Sequence, residues 1–179
     1  MTTNKSARRK GLYDYPKRIM PLLARWYYGE DLPGVDKALY TTFGSGSMGD
    51  TKGFEVHKGD VCPVGEWVSV KPWILSVELK HRLEWTWSGF IRDPRTSKLA
   101  EYWDQCISDA STDRYPLLIF TKNYEKDYCM FLRRVKGILL PIISPSVNTI
   151  INDSEVGITL LTNFLQQSRS DGIIRHYDK

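Results

Sequence analysis

The run Trp73-Ile74-Leu75-Ser76-Val77-Glu78-Leu79-Lys80 decides how the rest of the sequence is interpreted. It is short and mostly apolar, a pattern that predicts a buried β-strand. Residues two apart in a strand point to the same face, so Glu78 and Lys80 project together while Leu79 points the opposite way into packing. Charged groups at the end of a buried strand cost free energy unless they are paired or used. This end of the strand is therefore a candidate site.

Two interpretations of the charged end stay open. In the first, Glu78 and Lys80 pair with each other or emerge into solvent. In the second they work with Asp60, which follows Gly59 in a separate short predicted strand. Two carboxylates from adjacent strands can converge on one divalent cation, and Mg²⁺ prefers one or two carboxylates with waters and substrate phosphate. We expect Asp60, Glu78 and the backbone carbonyl of Leu79 to hold Mg²⁺, with Mn²⁺ as a substitute. Lys80 would orient water for phosphodiester hydrolysis.

Apolar patterns outside this run predict alternating helices and strands. Helical spacing predicts helices over 17–28, over 97–110 with a cap at Thr96 or Ser97, and from Asp153 or Ser154 to 167. Short apolar runs predict strands over 59–62, 67–70, 117–120 and 128–132, whereas the glycines of 41–53 predict a loop. Strands on both sides of the middle helix indicate a mixed α/β sheet flanked by helices, in one domain over residues 1–179. Residues 136–179 either complete the core or form an extension.

Composition excludes several classes of protein. The chain of 179 residues is 41% apolar with a net charge of +4, which is typical of a folded domain and permits an anionic partner. No apolar run approaches the roughly 20 residues of a membrane span, and no apolar segment follows the N-terminal charges, so we expect neither membrane insertion nor a secretory signal. Three scattered cysteines without a CxxC pair disfavour a zinc knuckle or a disulfide scaffold and favour an intracellular location.

Asp60 followed by Glu78-Leu79-Lys80 at the end of an apolar strand resembles the PD-(D/E)xK nucleases. The core of that superfamily is a helix, a three-stranded meander, a helix and a further strand, which matches the predicted order. Residues 59–61, 76–82, 102–106 and 115–120 are similar to its phage-type Holliday junction resolvase-like branch, in which a helix glutamine lies beside the metal acids, here Gln105. The resemblance spans about residues 40–135. It implies a restriction-endonuclease-like fold and a Mg²⁺-dependent DNA endonuclease that acts on branched DNA as a homodimer, in the cytoplasm of a host cell if it is phage-encoded.

The sequence departs from the superfamily pattern in two places. Gly59 stands where the motif has proline, and the first predicted helix contains no acidic residue. A further metal ligand could come from any of four acids, so one-metal and two-metal mechanisms both stay open. The four candidates are Glu30, Asp31, Asp50 and Glu55.

Basic and aromatic residues near the motif are candidates for contact with DNA. Lys58, His81 and Arg82 flank the acidic motif, and Arg8 and Arg9 lie in a basic tail over residues 1–10. Phosphate contact is one interpretation of these residues and ordinary solvation is the other. The segment 85–92, predicted as a loop, would either stack on bases or wedge into a duplex, or it would pack as a core lid or a subunit contact.

Two competing functions follow from the same residues. One is a non-catalytic DNA-binding or virion-assembly module in which Glu78 and Lys80 only pair with each other. The other is a restriction-type endonuclease that cuts plain duplex DNA.

Overall fold

The computed structural model describes residues 14–42, 59–110, 114–135, 138–139 and 145–167. Within these ranges the helices are α1 (Tyr15–Tyr28), α2 (Gly65–Val70), α3 (Trp87–Arg92), α4 (Lys98–Ala110) and α5 (Leu161–Gln167), with a short 3-10 helix at Val35–Lys37. The strands are β1 (Leu39–Thr41), β2 (Val61–Pro63), β3 (Leu75–His81), β4 (Tyr115–Thr121), β5 (Tyr128–Leu132), β6 (Arg134–Val135), β7 (Ile138–Leu139), β8 (Val147–Ile151) and β9 (Ser154–Leu160).

Seven strands form one mixed sheet in the order β1-β2-β3-β4-β5-β9-β8, and β6 pairs with β7 separately. Strands β3 and β4 are parallel, with Glu78 opposite Leu118 and Lys80 opposite Phe120. The other neighbours in the sheet are antiparallel. Parallel neighbours need a crossover connection, which α3 and α4 supply. The C-terminal ends of β3 and β4 therefore lie side by side, and the predicted mixed sheet flanked by helices is confirmed.

Helices cover both faces of the sheet, which is why β4 is buried along its whole length. One face packs against α1 and α5 through residues such as Val77 and Phe164. The other packs against α3 and α4 through residues such as Phe120 and Trp103. Leu79 was predicted to pack on the face opposite Glu78 and Lys80, and it packs in the core on the α1 side. The even-numbered residues of β3 face α4.

Helix α4 is the second element that positions the site. Its predicted apolar stripe is buried except for Ile107, which is 37% exposed. Its start is capped by Ser97, whose Oγ accepts a hydrogen bond from the Ala100 N–H at 3.2 Å. The Cys106 thiol lies 3.9 Å from the backbone carbonyl oxygen of Ser76 in β3. This contact fixes the face that α4 presents to the charged end of β3.

The predicted strand at 67–70 is wrong, because these residues belong to α2. The meander takes its third strand from Leu39–Thr41, which pairs antiparallel with β2. Helix α2 fills the connection from β2 to β3 and buries Trp67 in the core on the α1 side. A three-residue strand is too short to show a period of two in the sequence.

The predicted helix from Asp153 or Ser154 is wrong over its first half. Residues 154–160 form β9, and the helix begins only at Leu161. Asn152 and Asp153 have φ values of 47° and 63°, as a two-residue hairpin turn requires. Asn152 and Asp153 thus form the turn of a hairpin and do not cap a helix. The C-terminal segment adds strands β8 and β9 to the sheet, and helix α5 follows them.

Within the segment 85–92, which was predicted as a loop, residues Trp87–Arg92 form helix α3. Thr86 caps α3 by accepting a hydrogen bond on Oγ1 from the Gly89 N–H at 3.0 Å. Trp85 and Phe90 are each 1% exposed, so the core interpretation of these aromatic residues is confirmed.

The three cysteines of the chain are buried and form no disulfide with one another, namely Cys62, Cys106 and Cys129. Burial raises the pKa of each thiol, to about 11 for Cys62. In the described ranges, no helix has both the length and the apolar character needed to cross a membrane.

Candidate active site

Asp60 is held against β3 by its backbone and by its side chain. Its N–H donates to the Val77 carbonyl at 2.7 Å, and its carbonyl accepts from the Thr42 N–H at 3.0 Å. Its carboxylate oxygen Oδ2 accepts a hydrogen bond from the Leu79 N–H at 2.9 Å. The carboxylate of Asp60 therefore lies beside the peptide bond that joins Glu78 to Leu79.

Gly59 makes this close approach possible. It has a φ of 91°, and a Cβ at this position would lie 3.0 Å from both the backbone nitrogen and the carbonyl oxygen of Val77. Proline, whose ring fixes φ near −65°, cannot adopt this conformation. Residue 59 is therefore glycine and not proline because the backbone that positions Asp60 requires a positive φ here.

Glu78, Lys80 and Gln105 meet on the α4 face of the sheet. Glu78 and Lys80 form an ion pair, with their side chains only 3% and 12% exposed. Lys80 Nζ also donates to Gln105 Oε1 at 3.0 Å. The structure thus brings together all five groups predicted for the site, namely Asp60, Glu78, the Leu79 backbone, Lys80 and Gln105.

The carboxyl group of Glu78 has an unfavourable environment for its charge. Burial, followed by the negative charge of Asp60, raises the pKa of Glu78 to about 7, although Lys80 acts in the opposite direction. Within the described residues, Glu78 Oε2 is buried and has no hydrogen-bond partner. A buried anionic oxygen without a partner is costly, so this site is not optimised for the stability of the protein alone.

These groups fit a hard divalent cation. Glu78 Oε2, which lacks a partner among the described residues, and the carboxylate of Asp60 are oxygen ligands of the kind Mg²⁺ prefers. A residue's N–H and C=O point to the same side of a strand, so the Leu79 carbonyl points to the side from which Asp60 contacts its N–H. The described residues contain no cluster of three or more His, Cys, Asp or Glu side chains suited to a metal. Water and phosphate would have to complete the coordination.

The other acidic candidates lie elsewhere. Helix α1 runs antiparallel to β3, since the Tyr15 ring packs at 5.6 Å from His81 while Tyr27 Oη accepts from the Ile74 N–H at 3.2 Å. Glu30 and Asp31 follow the C-terminus of α1 and are exposed, so they lie near the start of β3 and away from its charged end. Asp50 and Glu55 are outside the described residues.

The predicted DNA-contacting residues are separated by the fold. His81 points to the α1 side, opposite Lys80, and packs on Tyr15. Arg82 is exposed at the end of β3, and its backbone N–H donates to the Thr121 carbonyl at 3.1 Å. Lys58, Arg8 and Arg9 lie outside the described residues, so their contacts with phosphate stay a prediction.

Sequence reasoning assigned Tyr102 to the core and missed its place beside the site. Lys80 Nζ lies 5.6 Å from the centroid of the Tyr102 ring, and Tyr102 Oη donates to Glu84 Oε2 at 2.6 Å. Burial, followed by the hydrogen bond to Glu84, raises the pKa of Tyr102. Helical spacing could have indicated this position, because Tyr102 and Gln105 are three residues apart and therefore share a helix face.

A comparison with protein families supports the nuclease resemblance. The family model described as "Phage putative PDDEXK endonuclease" matches residues 35–169, which is 135 of the 179 residues. The matched range includes every strand described above and all five groups of the site. No curated protein and no solved structure matches the chain.

Proposed function

The chain belongs to the phage PD-(D/E)xK endonuclease family, and on that basis we propose that it is a Mg²⁺-dependent DNA endonuclease. The observation that carries the proposal is the buried Oε2 of Glu78, which lacks a partner among the described residues although the carboxylate of Asp60 is close enough to raise the pKa of Glu78. Lys80 pairs with the other oxygen, Oε1. A protein selected for stability alone would also give Oε2 a partner or replace the acid, whereas a cation-binding site needs this second oxygen.

Each residue of the site has a role in this proposal. Mg²⁺, when bound by Asp60, Glu78 and the Leu79 carbonyl, would polarise the phosphate and offset its charge. The ammonium group of Lys80 would orient the attacking water and stabilise the negative charge that develops on the phosphoryl oxygens. Gln105 Oε1 holds Lys80 Nζ in place through its hydrogen bond.

The substrate proposed is branched DNA, on the resemblance to the junction-cleaving branch. Resolution of a four-way junction requires cuts in two strands in a paired way, and a symmetric homodimer provides one active site for each cut. In the related nucleases, hydrolysis leaves a 3′-hydroxyl and a 5′-phosphate, and we propose the same products here.

Cleavage by the full-length protein tests the proposal. With Mg²⁺ the protein should nick branched DNA. A gel that compares the extent of cleavage of a four-way junction, a flap, single-stranded DNA and linear duplex ranks these substrates. The variants Asp60→Asn, Glu78→Gln and Lys80→Met should retain DNA binding, and each should lose cleavage by about 10²–10⁴-fold.

Lys98 offers a matched control for Lys80. Its Nζ lies 5.9 Å from the centroid of the same Tyr102 ring, but it pairs with Glu101 on the exposed side of α4. Lys98→Met should cleave as the parent does. Cleavage by Glu78→Gln at the parental rate would contradict the proposal and would point to a contaminating nuclease or another site.

A non-catalytic DNA-binding module is the second candidate, and the Glu78–Lys80 ion pair is the observation that favours it. Titration calorimetry with Mn²⁺ separates the two functions. Binding that is lost in Asp60→Asn supports the nuclease. DNA binding without Mn²⁺ binding and without cleavage supports the module, and discrete fragments from plain duplex would instead indicate a restriction-type enzyme.

A further inference from the structure

The turn between β4 and β5 presents an aromatic residue to solvent. Tyr124 is 103% exposed and has a φ of 64°. The Glu125 N–H donates to the Lys122 carbonyl at 3.1 Å, which closes a four-residue turn with Tyr124 in its third position. A positive φ at this position favours glycine or asparagine, and tyrosine there is strained. Tyr124 therefore carries a backbone strain without the packing that would offset it.

The stem of this turn is firmly held. The rings of Phe120 and Tyr128, which pair across β4 and β5, stack with centroids 5.7 Å apart. Next to Tyr128, Asp127 forms a bidentate ion pair with Arg18 of α1. The distance between Arg18 Nη2 and Asp127 Oδ1 is 2.8 Å. A rigid stem presents the exposed ring at a small cost in conformational entropy, as a binding element requires.

The turn lies at the same end of the sheet as the candidate active site. It follows directly after β4, whose Phe120 is opposite Lys80. Tyr124 is four residues after Phe120, in the turn that extends past this end of the sheet. Lys122 pairs with Glu125 at 3.7 Å, and Asp127 pairs with Arg18. Lys126, two residues after Tyr124, is exposed and adds a positive charge to the same turn.

We propose that Tyr124 stacks on an unstacked base of the DNA substrate, close to the phosphate that is cleaved. Aromatic side chains beside basic residues bind exposed bases in this way, because every base has a π-face. In a continuous duplex that face is covered by the neighbouring base pairs. The inference rests on the proposed function and deepens it: the substrate is DNA with at least one unstacked base, as at a branch, a flap or a single strand.

Two substitutions separate the ring from the turn. Tyr124→Asn removes the aromatic surface but suits a positive φ, so its thermal midpoint should equal or exceed that of the parent. It should weaken binding to a single-stranded oligonucleotide and to a four-way junction by about 5- to 150-fold, measured by fluorescence anisotropy without divalent cations. Binding to linear duplex should change by less than about twofold. The salt dependence of binding should stay unchanged, because no charge is lost.

Tyr124→Phe keeps the ring and should bind all substrates as the parent does. Ile150→Ser is a control for loss of an exposed apolar side chain elsewhere, since Ile150 is 53% exposed on the edge strand β8. It should leave every affinity unchanged.

The outcomes distinguish the inference from the proposed function. If the parent binds and cleaves DNA but Tyr124→Asn has the parental affinity for every substrate, only the stacking inference is overturned. An equal loss on duplex and on branched DNA also overturns it, because an unstacked base is then not what the ring recognises. If Tyr124→Asn changes only self-association, measured by sedimentation, the ring belongs to a contact between chains and the DNA assignment is wrong. A parent that binds no DNA at all refutes the proposed function itself.

Discussion

Replacing Glu78 by Gln should remove a pH-dependent destabilisation of the metal-free protein. Burial and the charge of Asp60 raise the pKa of Glu78 from 4.5 to about 7 in the folded state. The folded protein therefore holds the proton of Glu78 more tightly than the unfolded chain does. The resulting stability is fully present below pH 4.5 and is lost as the pH rises through about 7. Glutamine resembles the protonated acid in shape and does not titrate.

The size of the effect follows from the interval between the two pKa values. At about 1.4 kcal/mol per pKa unit, the rise from 4.5 to about 7 corresponds to on the order of 3 kcal/mol. The side chain is only 3% exposed, so solvent screening reduces this figure little. Domains are commonly stable by about 5–15 kcal/mol, which makes such a change easy to measure.

Urea unfolding in the presence of a chelator, at about pH 5 and about pH 8.5, measures it. Between these pH values the free energy of unfolding of the parent should fall by about 2–3 kcal/mol more than that of Glu78→Gln. Glu66→Gln is a matched control, since Glu66 is an exposed acid on α2, and it should follow the parent. Added Mg²⁺ at pH 8.5 should then stabilise the parent and not Glu78→Gln. Identical pH dependence in the parent and Glu78→Gln would refute the argument that burial perturbs this group.

Two glycines should respond differently to alanine. Gly59→Ala places a Cβ 3.0 Å from the Val77 backbone at a φ of 91°, so it should cost about 1–3 kcal/mol of folding free energy and, by displacing Asp60, reduce cleavage per folded molecule. Gly157→Ala places a Cβ 2.7 Å from the Phe131 ring, so it should cost about 1–3 kcal/mol but leave cleavage per folded molecule unchanged. Denaturant unfolding and cleavage normalised to the folded fraction measure both, and an equal loss of normalised cleavage in the two variants would contradict the distinction.

The elements predicted correctly are those whose pattern is local and long. Strand β3 and helix α4 each show a continuous apolar pattern with one dominant period, so their type was readable before any tertiary contact was known. The juxtaposition of Glu78 and Lys80 follows from the alternation of a single strand. The place of Gln105 came from the resemblance to a nuclease branch and not from periodicity.

The elements that were missed depend on partners distant in the sequence. Strand β1 has three residues and exists because β2 lies beside it. In β9, Gly157 lies opposite Phe131 of β5, whose ring occupies the space that a side chain at residue 157 would take. Such a position carries no strand signal of its own, because the packing comes from the neighbouring strand.

The geometry of the site was only partly predictable for the same reason. The sequence placed Asp60 near β3 but could not show that its carboxylate accepts a hydrogen bond from the Leu79 N–H, or that Gly59 must adopt a positive φ for this contact. Both depend on how closely two strands approach. The position of Tyr102 beneath Lys80 depends in turn on the rotation of α4 against the sheet.

The folded protein should react only slowly with alkylating reagents. A thiol reacts when it is exposed and deprotonated, and all three thiols are buried. Any modification of the parent must therefore report an opening of β2, α4 or β5, and mass spectrometry of the labelled peptides would show which one opened. A cysteine engineered on the surface would be the only thiol that labels rapidly. Fluorophores could thus be attached at chosen points on this protein without first removing its native cysteines.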